Sequence, residues 1–481
     1  MTVLPTSKPP IFVPIRLDQL AIVQVGAALL ALAALLFVPS VLNDGDTYWH
    51  LAAGQWMLDH GQVLQRDVFS FTHAGKPWDT HEWLSEIAMA LAFRAGGWSG
   101  LLVLYAAAVA GAAAMLAGRV GRSLGAPVTL VILAFAFFSA APSLLARPHM
   151  LALPIVIGWT IELLAARDGD RAPRWWLALV MVLWANVHGG YLIGFALLAA
   201  FGLEALMEGQ GRYLKVVRDW GLVAVLCVVA TLMTPHGLGG LTYPVKIMTM
   251  RTLNSITEWR AADFSQLTPF ELSLLAALFI CLSYGVRTGP VRALVLLGLL
   301  HMALQHQRQQ ILFAMIAPLV LAQPLAAALG QQGAPAVRRP VAWAIFGGLA
   351  AAFVALRLFN PVVRTDGPTT PLSALAHVPP SLAAQPMLNT YSFGGYLIFK
   401  GVKPFIDGRS DMYGDDHVRR ELRIMTGDPK SLEQAVDQYH IAWTLLAPQE
   451  PLVRVLDAKP GWRRIYGDRF AVVHVREDGK P

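Results

Sequence analysis

Apolar runs too long and too numerous for a water-facing surface dominate this sequence, and they leave few fold classes open. Of 481 residues, 55% are hydrophobic and only 14% are charged, against roughly a quarter charged in soluble domains. Such a chain cannot cover a globular surface with polar groups, so lipid is the solvent for much of it. Crossing the hydrocarbon takes about 20 apolar residues, fewer inside a bundle. On that basis runs near 20–42, 101–117, 127–141, 150–166, 175–187, 191–206, 220–233, 272–286, 291–304, 311–329 and 341–358 read as spans, about eleven in all. The first run is long for a signal-peptide core, and no small-residue cleavage site precedes the polar loop after it. It reads as an uncleaved span. Cys227 and Cys281 both lie within apolar runs and offer neither a disulfide framework nor zinc spacing.

The basic residues agree with this count. With a cytoplasmic N-terminus, the inner connections hold Lys8 and Arg16, then Arg119 and Arg122, then Arg167, Arg171 and Arg174, then Arg212, Lys215 and Arg218, then Arg287 and Arg292, and last Arg338 and Arg339. Each carries at least two positive charges, the bias of cytoplasmic loops. The net charge of +7 is therefore a topology signal, and no basic stripe with interleaved aromatics points to nucleic acid. The opposite connections carry histidines instead, among them His50, His81, His149, His188, His236 and His306. Ionisable groups at membrane depth cost about 2.5–3.5 kcal/mol each, so their collection on one side implies a shared site.

The densest polar stretch is the loop after the first span. It opens NDGDTYWHLAAGQWML and closes PWDTHEWLSE. A helix starting near Asp46 places His50 one turn on, on the same face. Trp49, Ala53 and Trp56 then form an apolar stripe suited to a helix lying on the membrane surface. A second such helix is expected over 80–93, with Glu82 and Glu86 on one face and His81 beside them. Asp46 at a membrane mouth suits a general base that takes a proton from an acceptor hydroxyl. Asp44 and Asp46 could instead hold a divalent cation such as Mg or Mn through oxygen ligands, or either could cap the helix.

Further polar motifs fall on the same side. Arg147 and His149 of RPHM, and His306 and Arg308 of HQR, suit phosphate binding or snorkelling. Asn186 and His188 lie in WANVHGG, His236 in TPHG and Glu258 in ITEW. Beyond residue 359 the composition changes. Residues 361–380 are proline-rich and read as a linker within 359–385. From 386 to 481 strands are expected at LNT, KPFIDGR, AWTLLAP and RFAVVHV, with helices at SLEQAVDQYHI and PLVRVLDA, a small α/β domain. Asp407 and Arg409 read there as a turn with an internal ion pair.

On these residues the chain resembles bacterial members of the GT-C superfamily of integral-membrane glycosyltransferases. The likeness lies in the first span, the acidic motif NDGDTYWHLAAGQWML outside it, two surface helices, a many-span core and an outer C-terminal domain. The chain also resembles a large family of bacterial polytopic membrane proteins sharing motifs like DTYWHLAAGQW, DVFSFT, PWDTHEWLSE, RPHM, WANVHGG, TPHG, ITEW and FGGYLIFKGVKPFIDGRSDMYGD. The resemblance implies an all-α polytopic bundle over 1–358, with outer loops at 43–97 and 234–269. It implies a multi-pass protein of the bacterial inner membrane with its C-terminal domain in the periplasm. It also implies a polyprenyl-phosphate sugar donor, an envelope glycan, lipid or protein acceptor, and catalysis by Asp46 or Asp44. Asp46-Thr47 stands where better-known relatives often carry Asp-Glu. A scaffold that binds envelope lipid or glycan without chemistry is the alternative, and it would have no need of Asp46, Glu82 and Arg308 in one place. The spans are nearly free of charge, which disfavours a transporter with a midplane site. A reporter that works only in the cytoplasm is expected to stay silent when fused after Asp411, as activity in whole cells would check.

Overall fold

The computed structural model describes residues 19–209, 211–331 and 340–477. All eleven apolar runs form helices: α1 (Gln19–Phe37), the second half of α3 (Trp83–Val120), α4 (Ala126–Ala140), α5 (Pro148–Asp168), α6 (Leu177–Val187), α7 (Leu192–Met207), α8 (Tyr213–Thr231), α10 (Pro269–Ser283), α11 (Pro290–Gln305), α12 (Gln310–Ala328) and α13 (Pro340–Phe359). The helices α2 (Asp46–His60) and α9 (Leu238–Met248) belong to the connections between them. Among the described residues seven helical segments, built on α1, α3, α4, α5, α7, α12 and α13, are long and apolar enough to cross a membrane. Helices α6, α10 and α11 are apolar but shorter. Lipid offers no partners for backbone N–H and C=O groups, so helices are the form such runs must take. Phe279, Leu282, Leu294 and Phe359 project outward, as lipid-facing side chains do. The chain is a multi-pass helical membrane protein with a small sheet near its C-terminus.

The charged helix ends meet at one end of the bundle. Arg119 pairs with Asp168 at 2.5 Å, and Arg292 reaches both Asp168 (3.2 Å) and Glu204 (2.8 Å). Arg167 lies 3.4 Å from Glu204, and the Gln323 amide donates to Asp168 at 3.0 Å. Ends of α3, α5, α7, α11 and α12 are thereby drawn together, as the distribution of basic residues requires. Lys8, Arg16, Arg338 and Arg339 lie outside the described residues.

One expectation for the first loop holds and one is corrected. A helix from Trp83 fills most of the stretch expected over 80–93, and a kink at Gly96 and Gly97, neither of them helical, separates it from the span that forms the second half of α3; Gly97 takes φ +57°. Helix α2 does not lie free on the membrane surface. Thr47 through Gly54 are all buried, because α2 is packed between α3 and a helix of the C-terminal unit, α16 (Gly394–Phe399). Gly54 allows the α3 contact, since a Cβ there would meet the Glu86 carbonyl oxygen at 1.9 Å.

The segment expected as a linker is also held. Arg364 donates to the Leu42 carbonyl at 3.1 Å and to the Tyr48 hydroxyl at 3.1 Å, and Tyr48 meets Thr370 at 2.7 Å. Short helices α14 (Leu372–Ala376) and α15 (Pro380–Ala383) precede the sheet. Its strands β1 (Met387–Asn389), β2 (Trp443–Leu446), β3 (Trp462–Gly467) and β4 (Val472–Arg476) run in the order β1-β2-β4-β3, with β1 parallel to β2 and the other pairs antiparallel. Central β2 is buried throughout, while edge β3 exposes Arg463 and Arg464, a charged edge of the kind that discourages further pairing. Helices α17 (Ser410–Met425), α18 (Pro429–Tyr439) and α19 (Pro451–Ala458) complete the unit. KPFIDGR is not a strand. The Asn389 side chain takes the place of ladder bonds there, accepting from Phe405 N–H at 2.9 Å and donating to the Ile406 carbonyl at 2.8 Å.

A buried ion cluster fastens this unit to the first loop. Arg409 donates to both oxygens of Asp407 at 2.7 Å and to Asp67 at 2.8 Å. Its guanidinium carbon lies 4.6 Å from the Trp78 ring centre, and the Tyr413 hydroxyl donates to Asp407 at 2.6 Å. The internal Asp407–Arg409 pair is thus present, and the first loop supplies a third member. All three ionic side chains are fully shielded. Removing one member of a buried cluster strands the others and typically costs about 3–5 kcal/mol. Arg409→Met is therefore expected to lower unfolding stability in detergent by about that much, measured by thermal or denaturant unfolding.

Candidate functional site

The site is built where α1 ends and α2 begins. Asp44 accepts the backbone N–H of Asp46 at 2.7 Å, which caps the first turn and sets the two carboxylates side by side. Gly45 is the N-cap and Asp46 the first helical residue. The Arg147 guanidinium, immediately before α5, spans both acids, at 2.8 Å from Asp44 and 2.9 Å from Asp46. Its other terminal nitrogen lies 2.5 Å from Glu258, in the short turn Thr257–Trp259. Arg308 reaches the far oxygen of Glu258 at 3.5 Å and stacks over Trp259 at 4.5 Å. The His306 ring donates to the Trp259 carbonyl at 2.8 Å and holds that turn.

A second cluster adjoins the first through α2. His50 is 3.0 Å from Glu86 through Nδ1 and faces Glu82 at 3.7 Å through Nε2. His81 and His188 also face Glu82, at 3.5 and 3.4 Å. His188 Nδ1 accepts the Gly190 N–H at 2.9 Å, so its Nε2 carries the proton that points to Glu82. His81 stacks on Tyr243 with ring centres 3.8 Å apart. His149 donates to the Ser143 carbonyl at 2.8 Å, and its ring centre is 6.3 Å from that of His188. His236 pairs with Asp79 at 3.5 Å. Asn186 is part of the framework: its amide accepts from the Trp83 indole at 2.6 Å and donates to the Val182 and Met233 carbonyls.

The structure thus brings Asp44, Asp46, Arg147, Glu258 and Arg308 into one chain of contacts, and His50, His81, Glu82 and His188 into another. The C-terminal unit covers both, a contribution the sequence reading did not assign to this site. Gly408 lies so close to Asp46 that a Cβ on it would stand 1.7 Å from the carboxylate oxygen. Asp411 from the same segment acts on His81, and it is raised by its own burial. The signal was present in the polar, glycine-punctuated run FGGYLIFKGVKPFIDGRSDMYGD, but nothing local in it specifies a partner 342 residues away.

Charge is distributed unevenly across the site. Burial pushes the Asp46 carboxyl up to about 7, Arg147 opposing and the Asp44 and Glu258 charges reinforcing. Burial would raise Glu258 as well, but Arg147 and Arg308 overcome it and hold this carboxyl at about 2. Burial would raise Glu82 too, but His81 beside it, by charge and hydrogen bond, is the foremost of the groups that hold it well below the carboxylate range. Burial drives His50 and His188 down to about 3, leaving both imidazoles neutral, whereas Glu82 keeps His81 above its ordinary value despite burial. One carboxyl is therefore poised near neutrality beside Glu258 and Glu82, which stay ionised, the separation of roles that acid–base chemistry uses.

A Mg or Mn ion on Asp44 and Asp46 does not fit these residues. The Arg147 guanidinium already lies between those two carboxylates, and a divalent cation there would meet it at contact distance. Among the described residues no group of three or more His, Cys, Asp or Glu is arranged to hold a metal ion.

No family model matches the chain, and no curated protein matches it. Two solved structures of an Archaeoglobus fulgidus oligosaccharyltransferase are similar to it. One, the archaeal oligosaccharyltransferase AglB in complex with an inhibitory peptide and a dolichol-phosphate, has a TM-score of 0.39 and 11% identity, covering 89% of this chain and 69% of that one. The other, the apo form, has a TM-score of 0.42 and 11% identity, covering 88% and 69%. Likeness of this degree transfers no site residue.

The raised Asp46 carboxyl has a consequence for stability. The folded chain holds a proton there up to about pH 7, the unfolded chain only to its ordinary value of 3.8. Stability from this group is complete below pH ~4 and is lost as pH rises through about 7. Asp46→Asn, which cannot ionise, is expected to unfold with wild type at pH ~4 and at higher temperature than wild type at pH ~8. Thermal unfolding across pH in detergent checks this.

Proposed function

We propose that the chain is a membrane glycosyltransferase of GT-C-like architecture that moves a sugar from a polyprenyl-phosphate donor to an acceptor on the outer face of the bacterial inner membrane. The observation that carries the reading is the pairing, at the mouth of the first span, of a carboxyl poised near 7 with two guanidinium groups that converge on one anion position. The basic residues at the opposite helix ends support a cytoplasmic N-terminus and a periplasmic C-terminal unit.

The chemistry follows from these groups. The acceptor oxygen forms a bond to the anomeric carbon as the bond from that carbon to the phosphate oxygen breaks. The acceptor proton passes to Asp46, and the electron pair leaves with the polyprenyl phosphate. Arg147 and Arg308 neutralise that departing charge, so no acid is required on the leaving side. A base near 7 is ionised often enough to accept and basic enough to pull. The neutral His50 and His188, with ionised Glu82, form the polar wall beside the acceptor.

A positioned general base contributes roughly 10²–10⁴-fold in rate. Asp46→Asn is expected to lose turnover by that range while donor binding persists, and wild-type turnover is expected to rise with pH through about 7. Arg308→Ala is expected instead to weaken donor binding. Transfer of label from a polyprenyl-phosphate sugar in membranes, with protein level checked in parallel, separates the outcomes: wild-type rate in the Asn variant removes Asp46 from the mechanism.

A further inference from the structure

We infer that Glu258 is a specificity-determining residue: its carboxylate holds the place of the donor's phosphate between Arg147 and Arg308, and so selects a singly charged phosphodiester over a diphosphate. This rests on the proposed reading of the site. Glu258 uses one oxygen for Arg147, at 2.5 Å, and the other for Arg308, at 3.5 Å. That is the grip two guanidinium groups would give one phosphate. Arg147 has its remaining terminal nitrogen committed to Asp44 and Asp46, so on its side the grip has room for one anion and not for two.

The charge count makes the same point. Two guanidinium groups face three carboxylates, Asp44, Asp46 and Glu258. While Glu258 is seated, both guanidinium groups are already matched by carboxylates, and an added phosphate finds no uncompensated positive charge there. When a phosphodiester displaces it, one charge leaves the guanidinium pair as one arrives. A diphosphate brings more charge than Glu258 gives up, with no further guanidinium on that contact to balance it.

The turn is mounted so that this exchange needs only local movement. On one side Asp415 of α17 accepts the backbone N–H groups of Arg251 and Thr252 at 3.0 and 2.9 Å, and the Thr252 hydroxyl at 2.7 Å. On the other, Ala262 N–H donates to the Leu304 carbonyl at 2.8 Å and Gln307 N–H to the Arg260 carbonyl at 3.0 Å. Glu258 sits between two anchored ends.

The test titrates full-length protein in detergent with methyl farnesyl phosphate, a singly charged diester, and with farnesyl diphosphate, by calorimetry. Wild type is expected to bind the diester about tenfold or more tightly than the diphosphate. Glu258→Gln is expected to tighten both, the diphosphate more, because a seated competitor lowers apparent affinity by the fraction of time it occupies the site. A wild-type preference for the diphosphate overturns the inference without any variant. An unchanged preference in Glu258→Gln, or weaker diester binding, overturns it too. Arg308→Ala separates this from the underlying reading: if that variant binds the diester like wild type, the phosphate assignment itself fails.

Discussion

The guanidinium of Arg147 is the interaction on which the site depends. Three carboxylates crowded at the end of an apolar bundle repel one another and are costly to dehydrate, and one cation touching all three offsets both effects. The acids come from the turn before α2, from its first residue and from a turn some 200 residues later, so the same contact that balances charge also fixes three segments relative to one another. Glu82 plays the reciprocal part next door, one anion gathering imidazoles from α2, from its own neighbour and from the end of α6.

The two hubs differ in what they leave unresolved. Around Glu82 the charges settle: the carboxylate is ionised and two imidazoles are neutral. Around Arg147 they do not, because two guanidinium groups serve three acids and the least compensated, Asp46, sits near the midpoint of its titration. A group held in that state detracts from stability at neutral pH, because the folded chain buries a carboxyl that is partly ionised.

How much of this could be read in advance varies with the physics. Apolar runs report helices directly, since lipid leaves the backbone no alternative, and the basic residues report which helix ends meet. The separation of Thr80–Phe93 from the following span was legible, because Gly96 and Gly97 between them take angles that no helix holds. KPFIDGR failed as a strand because the Asn389 side chain, not a neighbouring ladder, satisfies its backbone. The surface placement of α2 failed because an apolar stripe does not say whether lipid or protein covers it, and here α16 does. The candidate residues of the first loop were legible as a polar cluster beside a span. The part played by Gly408 and Arg409 was not, since contacts across more than 300 residues leave no local pattern.

The close seat of Gly408 against Asp46 also bears on how the molecule comes into being. Ribosomes deliver the first loop early and the segment carrying Gly408 and Arg409 only after the eleven apolar helices. Until then the acids at the mouth of α1 lack the cover that Gly408 gives Asp46. The burial that raises Asp46 is therefore complete only once two distant segments have met.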